Sequence, residues 1–469
     1  MNRDAFLVGM LPEHFLLAGV VLLIVLSIAA PAGRERGAAA LSIAVVAAAA
    51  VCAAGLGLQG FAGQPFPGQL SVSPAASLGK AVALALALPV LVRAREEQGD
   101  GGPFYPLLLS SLYGLVLMLG SDSFLTLFLG LELMSLPVYT LVLLGTRRTP
   151  RAAEAALKYV VLGGAATATL LMGVSLLYGH GGTLAIGAFA RALASADPMA
   201  VTGAVLVLLA FFVKGALVPF HTWAPDAYEG ATVPVTGYMA AVIKAGVLLA
   251  ALRLVGEAAL SQPLVQLLVA LPLLSIVWGN LAAMRQPNLR RLMAYSSIAH
   301  AGYLFLAFLG AGPGRFQAVL FYLLAYGVMT LLAFAALPAH ADEPQRDRIE
   351  GPAGLTGLFH RQPFAAIMIG LAMLSLAGIP PLPGFVAKFL VFREVMAAGH
   401  TAVAVAGLVG SYLGIYFYLR VIQRMFMTAT EVPVQGEAPA RGAAVVASVV
   451  CLVPAIALVV APGWVLARI

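Results

Sequence analysis

The residues of this sequence most able to do chemistry are its lysines, which are few and lie in apolar surroundings. Each of the five lies within or at the edge of a hydrophobic stretch of the 469-residue chain. They are Lys80, Lys158, Lys214, Lys244 and Lys388. Burial disfavours the charged form of an amine, so a desolvated lysine can release a proton, whereas arginine effectively cannot. A series of such amines along an apolar chain indicates a proton pathway.

Glu132 is the acidic residue best placed to act on one of these amines. It lies near the middle of DSFLTLFLGLELMSLPVYTLVLL, and the charged residue nearest to it in the sequence is Asp122. A charged group at the centre of a membrane span costs roughly 2.5–3.5 kcal/mol on insertion scales, so Glu132 needs a partner inside the protein. We expect this partner to be Lys214. An ion pair keeps both groups charged, and separating the pair favours release of the lysine proton. A static structural pair is the alternative.

Lys244 and Lys388 have no evident acidic neighbour on their own hydrophobic segments, and we expect both to carry protons. Extension of the amine to the membrane surface is the alternative for each. His221, in VPFHTWAPD, is placed to relay protons between Lys214 and Lys244, because histidine titrates near neutral pH. His300, in AYSSIAHAGYL, is expected to continue the path with the hydroxyl-bearing residues around it, which are Tyr295, Ser296, Ser297 and Tyr303. Polar groups also join membrane helices for packing alone, which is the alternative for both histidines.

Two roles stay open for Lys158. It follows Glu154 by four residues near the start of a hydrophobic segment, an order that stabilises a helix. It either takes up protons from the cytoplasm or anchors the helix at the membrane interface. Lys80, near the start of its own segment, is expected to extend its amine toward the outer membrane surface.

Composition places these residues in a membrane protein. The sequence is 61% hydrophobic and 10% charged, with a mean hydropathy of +0.97, which is outside the range of water-soluble domains. Hydrophobic runs of roughly 20 residues recur along it, the length that an α-helix needs to cross a bilayer. They predict an all-α polytopic membrane protein with about 14 spans. The spans cover about residues 11–30, 38–59, 75–92, 104–120, 122–144, 154–178, 199–219, 233–254, 263–283, 292–310, 316–338, 363–397, 401–426 and 442–465.

Proline clusters predict that two of these spans are broken. Pro219 and Pro225 follow Lys214 in span 7, and the segment GIPPLPG precedes Lys388 in span 12. Proline removes a backbone donor and clashes with the preceding turn of a helix. The breaks are five spans apart, an odd offset, which predicts two inverted five-helix repeats, spans 4–8 and 9–13. Ordinary proline kinks are the alternative.

These repeats divide the chain into four predicted units. Residues 1–100 hold three N-terminal helices, 101–256 the first repeat, 257–430 the second repeat and 431–469 a C-terminal helix.

The arginines between the spans predict the orientation in the membrane. Most follow odd-numbered spans, and the positive-inside rule places these loops in the cytoplasm and both chain termini outside. The arginines on this side are Arg34, Arg36, Arg93, Arg95, Arg147, Arg148, Arg151, Arg285, Arg290, Arg291, Arg346, Arg348, Arg361, Arg424 and Arg441. The formal net charge of +7 therefore reflects orientation and does not indicate a nucleic-acid partner.

Sequence motifs for redox chemistry or ATP hydrolysis do not occur. The sequence has neither a dinucleotide-binding glycine motif nor a Walker loop, and its two cysteines, Cys52 and Cys451, lie in separate apolar runs. We therefore expect no cofactor and no metal in this chain. The driving force for transport must come from an ion gradient or from partner subunits.

Five segments resemble the antiporter-like membrane subunits of respiratory complex I, the bacterial NADH–quinone oxidoreductase, and most closely its N-type subunits. They are FLGLELMSLPVYTLVLL, AALKYVVLGG, VKGALVPFHTWAPDAYEGATVPVTGYMAAVIKAG, GNLAAMRQPNLRRLMAYSSIAHAGYL and SLAGIPPLPGFVAKF, within about residues 100–426. The resemblance implies a proton-translocating subunit whose central titratable residues are Glu132, Lys214, Lys244 and Lys388. A lysine at the last of these positions is unlike M-type subunits, and the chain shows no long lateral helix like that of L-type subunits.

The resemblance also implies partners. NADH, FMN, iron–sulfur clusters and quinone are expected in partner subunits, and the expected neighbours are M-, L-, K-, J-, A- and H-type membrane subunits and a peripheral arm. The expected location is the bacterial inner membrane. Two departures from the usual family pattern, the run Leu289-Arg290-Arg291 and Leu332, indicate a divergent branch. The alternatives are a subunit of a cation/proton antiporter or membrane-bound hydrogenase, a stand-alone secondary transporter, and a purely structural scaffold.

Overall fold

The computed structural model describes residues 3–29, 37–98, 102–145, 149–338, 347–351, 354–427 and 442–468, and most of these residues are helical. In chain order the α-helices are α1 (Arg3–Leu7), α2 (Leu11–Ala29), α3 (Ala38–Leu58), α4 (Pro74–Gln98), α5 (Phe104–Leu119), α6 (Phe124–Leu143), α7 (Pro150–Gly181), α8 (Phe189–Leu193), α9 (Pro198–Lys214), α10 (Trp223–Gly230), α11 (Val233–Gly237), α12 (Lys244–Val255), α13 (Gln262–Ala283), α14 (Leu289–Leu306), α15 (Pro313–Ala335), α16 (Leu358–Arg361), α17 (Pro363–Ala377), α18 (Pro383–Ala397), α19 (Thr401–Phe426), α20 (Gly442–Val460) and α21 (Pro462–Leu466).

Short elements complete the fold. A π-helical turn, Tyr238–Ile243, joins α11 to α12, and 3-10 turns lie at Ile186–Ala188 and Ala307–Leu309. Two strands, β1 (Gly63–Phe66) and β2 (Leu70–Val72), pair antiparallel between α3 and α4.

The predicted all-α polytopic architecture is confirmed, but the count of 14 spans is not. Among the described residues, 11 helices are long and apolar enough to cross a membrane, or 12 if α8 and α9, bent by 116°, form one span. The difference comes from the predicted spans 4, 7 and 12. Their helices α5, α9, α17 and α18 have 15 to 17 residues each, shorter than the roughly 20 that a full crossing needs.

The centre of the bundle is formed by three long segments that are buried along nearly their whole length. They are Val233–Val255, Leu289–Leu309 and Pro313–Ala335. By contrast, α2, α3, α7, α13, α19 and α20 bury well under half of their residues, so they form the periphery. Polar side chains on the central segments are therefore held away from lipid, the condition under which membrane proteins tolerate them.

The break predicted in span 7 is confirmed. Helix α9 ends at Lys214 and α10 begins at Trp223, with Pro219 between them. The second proline does not interrupt a helix, because Pro225 lies in the first turn of α10, where a missing backbone donor costs nothing. Side chains satisfy the exposed backbone: Trp223 Nε1 donates to the oxygen of Val213 at 2.9 Å, and Ser275 Oγ accepts from the nitrogen of Val218 at 2.9 Å.

The break predicted in span 12 is confirmed as well. Helix α17 ends at Ala377 and α18 begins at Pro383. Gly378 follows α17 in the left-handed conformation, with φ 87°. The first break also contains a left-handed residue, Ala216 with φ 60°, which is the second residue after α9. This likeness agrees with an inverted pair of repeats, but the repeats and the four predicted units stay predictions.

Lys80 does not lie where the sequence suggested. Its amine is buried and lies 2.5 Å from Glu13 Oε1, and both side chains are at most 4% exposed. The pair joins α4 to α2. The expectation that Lys80 extends to the membrane surface is therefore wrong, because Glu13, 67 residues away in the sequence, supplies a charge partner inside the bundle.

Candidate functional site

One face of α6 surrounds the amine of Lys214. Glu132, Ser135 and Tyr139 follow one another at intervals of three and four residues, which puts them on the same side of a helix. Lys214 Nζ lies 3.8 Å from Glu132 Oε1 and donates hydrogen bonds of 3.1 Å to Ser135 Oγ and 3.2 Å to Tyr139 Oη. The structure thus brings together the two residues that the sequence analysis paired, Glu132 and Lys214.

A hydrogen bond from α7 also holds the Glu132 oxygen that faces Lys214. Thr167 Oγ1, on α7, donates to Glu132 Oε1 at 2.5 Å. The Glu132 side chain is 23% exposed, whereas that of Lys214 is only 5% exposed. The same carboxylate oxygen therefore faces the buried amine at ion-pair distance and accepts a hydrogen bond from a hydroxyl.

Lys244 lies in the buried centre, and no carboxylate of the described residues forms an ion pair with it. It is the first residue of α12, directly after the π-helical turn, an irregularity that is frequent at functional sites. Its amine donates to both the backbone oxygen and the hydroxyl of Ser297 on α14, at 2.5 Å to the former. It also lies 5.9 Å from the ring centre of Tyr326. Lys244 is therefore held by neutral groups, which stabilise its charge less than a carboxylate does.

His300 bridges three helices beside Lys244. Its Nδ1 lies 2.7 Å from Tyr322 Oη on α15, and its Nε2 lies 3.2 Å from Tyr418 Oη on α19. The hydroxyl of Tyr418 also contacts that of Ser296. The imidazole packs against Tyr326 with ring centres 4.8 Å apart. His300 therefore belongs to a buried network of hydroxyl groups, as the sequence analysis expected of its surroundings.

Lys388 is placed at the break of span 12. Its amine donates to the backbone oxygens of Leu376 and Ala377, at 3.1 and 3.0 Å, and to Ser411 Oγ at 2.9 Å. It lies 5.3 Å from the ring centre of Tyr303, whose ring is 5.6 Å from that of His300. Ring contacts lead from Lys244 through Tyr326, His300 and Tyr303 to Lys388, and these are packing contacts between side chains and not a chain of hydrogen bonds.

His221 lies outside this network. Its Nε2 accepts a hydrogen bond of 3.1 Å from Trp278 Nε1, and its ring is 6.2 Å from that of Tyr295. Trp278 is 49% exposed, which places the pair near the edge of the bundle. Among the described residues, no hydrogen bond joins His221 to Lys214 or Lys244. Its predicted relay role stays a prediction.

Lys158 lines a charged cavity of about 580 Å³ at the ends of α7, α10 and α14. Its amine lies 2.7 Å from Glu154 and 2.6 Å from Asp226. The cavity is also lined by Arg151, Glu229, Arg290, Asp347 and Arg348. In the loop at its rim, desolvation raises the pKa of Asp347, and the neighbouring Arg290 opposes that rise. The cavity lies on the arginine-rich side predicted to face the cytoplasm, and the Lys158 side chain that lines it is 44% exposed.

Several residues of the site escaped the sequence analysis. Ser135 and Tyr139 were recognisable from their helical spacing to Glu132. No local signal marks the others, because they reach the site from three separate helices: Thr167 from α7, Tyr322 and Tyr326 from α15, and Ser411 and Tyr418 from α19. In the part of the chain that the structure describes, no three histidine, cysteine or acidic side chains are grouped as a metal would require.

A helical bundle with two broken spans and a row of buried lysines is the architecture of an ion-translocating membrane protein. The family model described as "NADH:quinone oxidoreductase/Mrp antiporter, TM" matches residues 121–414, and the chain belongs to this family. The resemblance seen in the sequence is thereby confirmed.

Individual relatives point to one branch of the family. The chain is 37% identical to the NADH-quinone oxidoreductase subunit N of Pelobacter propionicus over 425 residues, covering 91% of this chain and 90% of the relative. A chain of respiratory complex I from Thermus thermophilus is 34% identical with a TM-score of 0.82, covering 97% and 98% of the two chains. A chain of an archaeal membrane-bound sulfane sulfur reductase, 24% identical with a TM-score of 0.85, shares the fold.

Proposed function

We propose that this chain is the N-type membrane subunit of a proton-pumping NADH:quinone oxidoreductase and that protons cross it along the buried lysines. The row of ring contacts that links Lys244 to Lys388 through His300 carries the proposal. Three amines lie in the middle of the membrane, and among the described residues two of them, Lys244 and Lys388, have no carboxylate beside them. Burying these amines costs too much free energy for a structural scaffold alone, so they favour transport. The extended similarity to N-type subunits favours this branch over a cation/proton antiporter.

The first step takes place at Lys214. When Glu132 lies close, the amine stays charged, and when Glu132 moves away from Lys214 the lone buried amine releases its proton. Lys158 and its cavity supply protons from the cytoplasm. Since Lys214 makes no direct contact with Lys244 among the described residues, water connects the two amines. His221 is a further candidate for this connection.

The second step moves the proton from Lys244 to Lys388. His300 takes part as an acceptor and donor between the hydroxyls of Tyr322 and Tyr418, a role that suits a group with two ring nitrogens. Lys388 then releases the proton to the outer side when neighbouring subunits change their charge or conformation. A purely structural role for these hydrogen bonds is the competing explanation.

The same proposal gives the location of the chain and its partner subunits. The chain is a multi-pass protein of the bacterial inner membrane with both termini on the periplasmic side. Its neighbours are M-, L-, K-, J-, A- and H-type subunits, and the peripheral arm carries NADH, FMN and iron–sulfur clusters. Electron transfer to quinone occurs in those partners, and this chain contributes proton transfer.

The proposal is tested with Glu132→Ala and Lys214→Ala in the assembled complex. Both variants are expected to lower proton pumping in membrane vesicles several-fold, while NADH oxidation by an artificial electron acceptor stays unchanged. Glu257→Ala is the matched control, because that carboxylate is 69% exposed. If both variants assemble and pump at the wild-type proton-to-electron ratio, the proposed function is wrong.

A further inference from the structure

The contact between α6 and α7 runs from the charged cavity to the Glu132–Lys214 pair. On α7, Ala155, Tyr159, Gly163 and Thr167 are spaced four residues apart and so share one face. Ala155 lines the cavity at one end, and Thr167 binds Glu132 at the other. At a rise of 1.5 Å per residue these ends are about 18 Å apart. This face therefore spans the distance between water and the buried pair.

Aromatic rings line the contact between α6 and α7, called the seam below, between the cavity and Lys214. Tyr159 stacks on Trp223 with ring centres 4.3 Å apart and an interplanar angle of 5°. Tyr139 meets the other side of Tyr159 edge-on, at 4.6 Å. Tyr139 and Tyr159 are 7% and 4% exposed. The phenol group of Tyr139 therefore lies between the cavity and Lys214 along this contact of α6 with α7.

The absence of a side chain at Gly163 leaves the space that the Tyr139 phenol group occupies. A Cβ atom added to Gly163 would lie 1.9 Å from Tyr139 Oη, far inside a real contact distance. The hydroxyl thus occupies the space that a side chain on α7 would fill, and in this position it is 3.2 Å from Lys214 Nζ. Glycine at position 163 and tyrosine at position 139 together set the position of an oxygen beside the lysine.

We infer that the Tyr139 hydroxyl is a further catalytic residue, which hands protons from the cytoplasmic side to Lys214. The inference rests on the proposed function. Neutral Lys214 accepts the phenol proton at Nζ, and Tyr139 Oη takes a replacement proton from protonated water that enters the seam. One O–H bond breaks and another forms on the same oxygen, so Tyr139 is neutral before and after, and Lys214 gains one positive charge.

Tyr139→Phe tests the inference, because it removes the hydroxyl and keeps the ring that packs on Tyr159. Proton transfer through a positioned side chain is typically about 10²–10⁴ times faster than without it, so we expect coupled proton pumping to fall at least about threefold. Gly163→Ala is a second variant that keeps the hydroxyl but displaces it, and the same loss is expected. Tyr178→Phe, which removes a phenol hydroxyl from the 54% exposed Tyr178 on α7, is the control.

Assembly is measured by native gel electrophoresis and by NADH oxidation with an artificial acceptor. Loss of pumping in Tyr139→Phe, or in Gly163→Ala if the first variant does not assemble, supports the role of the hydroxyl. Wild-type pumping by assembled Tyr139→Phe overturns it. Lys214→Ala separates the two proposals: if that variant loses pumping while Tyr139→Phe keeps it, only the role of Tyr139 is wrong. If Lys214→Ala also pumps normally, the proposed function fails as well.

Discussion

Lys388 Nζ donates a hydrogen bond of 3.0 Å to the backbone oxygen of Ala377, the last residue of α17. The final carbonyl groups of a helix have no partner within the helix, and inside a membrane they cannot turn to water. A lysine from the second half of the broken span therefore satisfies the end of the first half. Lys388 closes the break as well as carrying a titratable proton.

These two roles of Lys388 can be separated by substitution. Lys388→Arg keeps a positive charge and donors for the carbonyls, but arginine does not release its proton. We expect this variant to assemble normally and to lose proton pumping at least threefold. Lys388→Ala leaves carbonyls unpaired at a cost of about 1–3 kcal/mol each, so it should also lower the yield of assembled complex. Wild-type pumping by Lys388→Arg, measured in vesicles, would contradict a proton-carrying role.

The Glu13–Lys80 pair predicts a strong thermodynamic coupling. Both side chains are buried, so removing one leaves an uncompensated charge, which typically costs about 3–5 kcal/mol. We expect Glu13→Gln and Lys80→Met each to lower the thermal denaturation temperature of the detergent-extracted complex. The double variant should recover most of the loss, since no lone charge remains. Simple addition of the two single losses would show that the pair is not coupled.

A substitution at position 300 that keeps the hydrogen bond but removes the titratable group should still reduce proton pumping. Glutamine in its place can still hydrogen-bond to the Tyr322 hydroxyl but cannot take up a proton at neutral pH. We expect His300→Gln to assemble and to pump at least about threefold more slowly, because a proton-transfer group is lost. His360→Gln, at an exposed histidine within α16, is the control. Equal pumping rates in the two variants would assign His300 to packing alone.

Gly384 allows the two halves of span 12 to approach closely. A Cβ atom there would lie 1.9 Å from the backbone oxygen of Ser375. Overpacking of this kind typically costs about 1–3 kcal/mol, so Gly384→Ala should lower the yield and denaturation temperature of the complex. Gly55→Ala is the matched control, because nothing lies within 4 Å of the added atom and alanine favours a helix. Equal effects of the two substitutions would refute the packing explanation.

Much of the architecture could be predicted from the sequence. Hydrophobic runs, prolines and a mid-span carboxylate act through the cost of exposing polar groups to lipid, and this cost depends mainly on local sequence. For the same reason, both broken helices and the Glu132–Lys214 pair were identified correctly. The number of spans was harder to predict, since a break at Pro219 or Pro381 divides an apolar run into helices that are each too short to cross the membrane.

The sequence by itself determined the class of protein, its broken helices and the residues that bear titratable groups. Tertiary structure decided which of these groups meet. It joined Lys244 to Lys388 through His300 and gave Lys80 a partner in Glu13. It also placed His221 beside Trp278, and it set the Tyr139 hydroxyl against Gly163. A buried charge takes whichever partner helix packing brings within a few ångströms, and helical periodicity shows the face of a helix but not the neighbour that covers it.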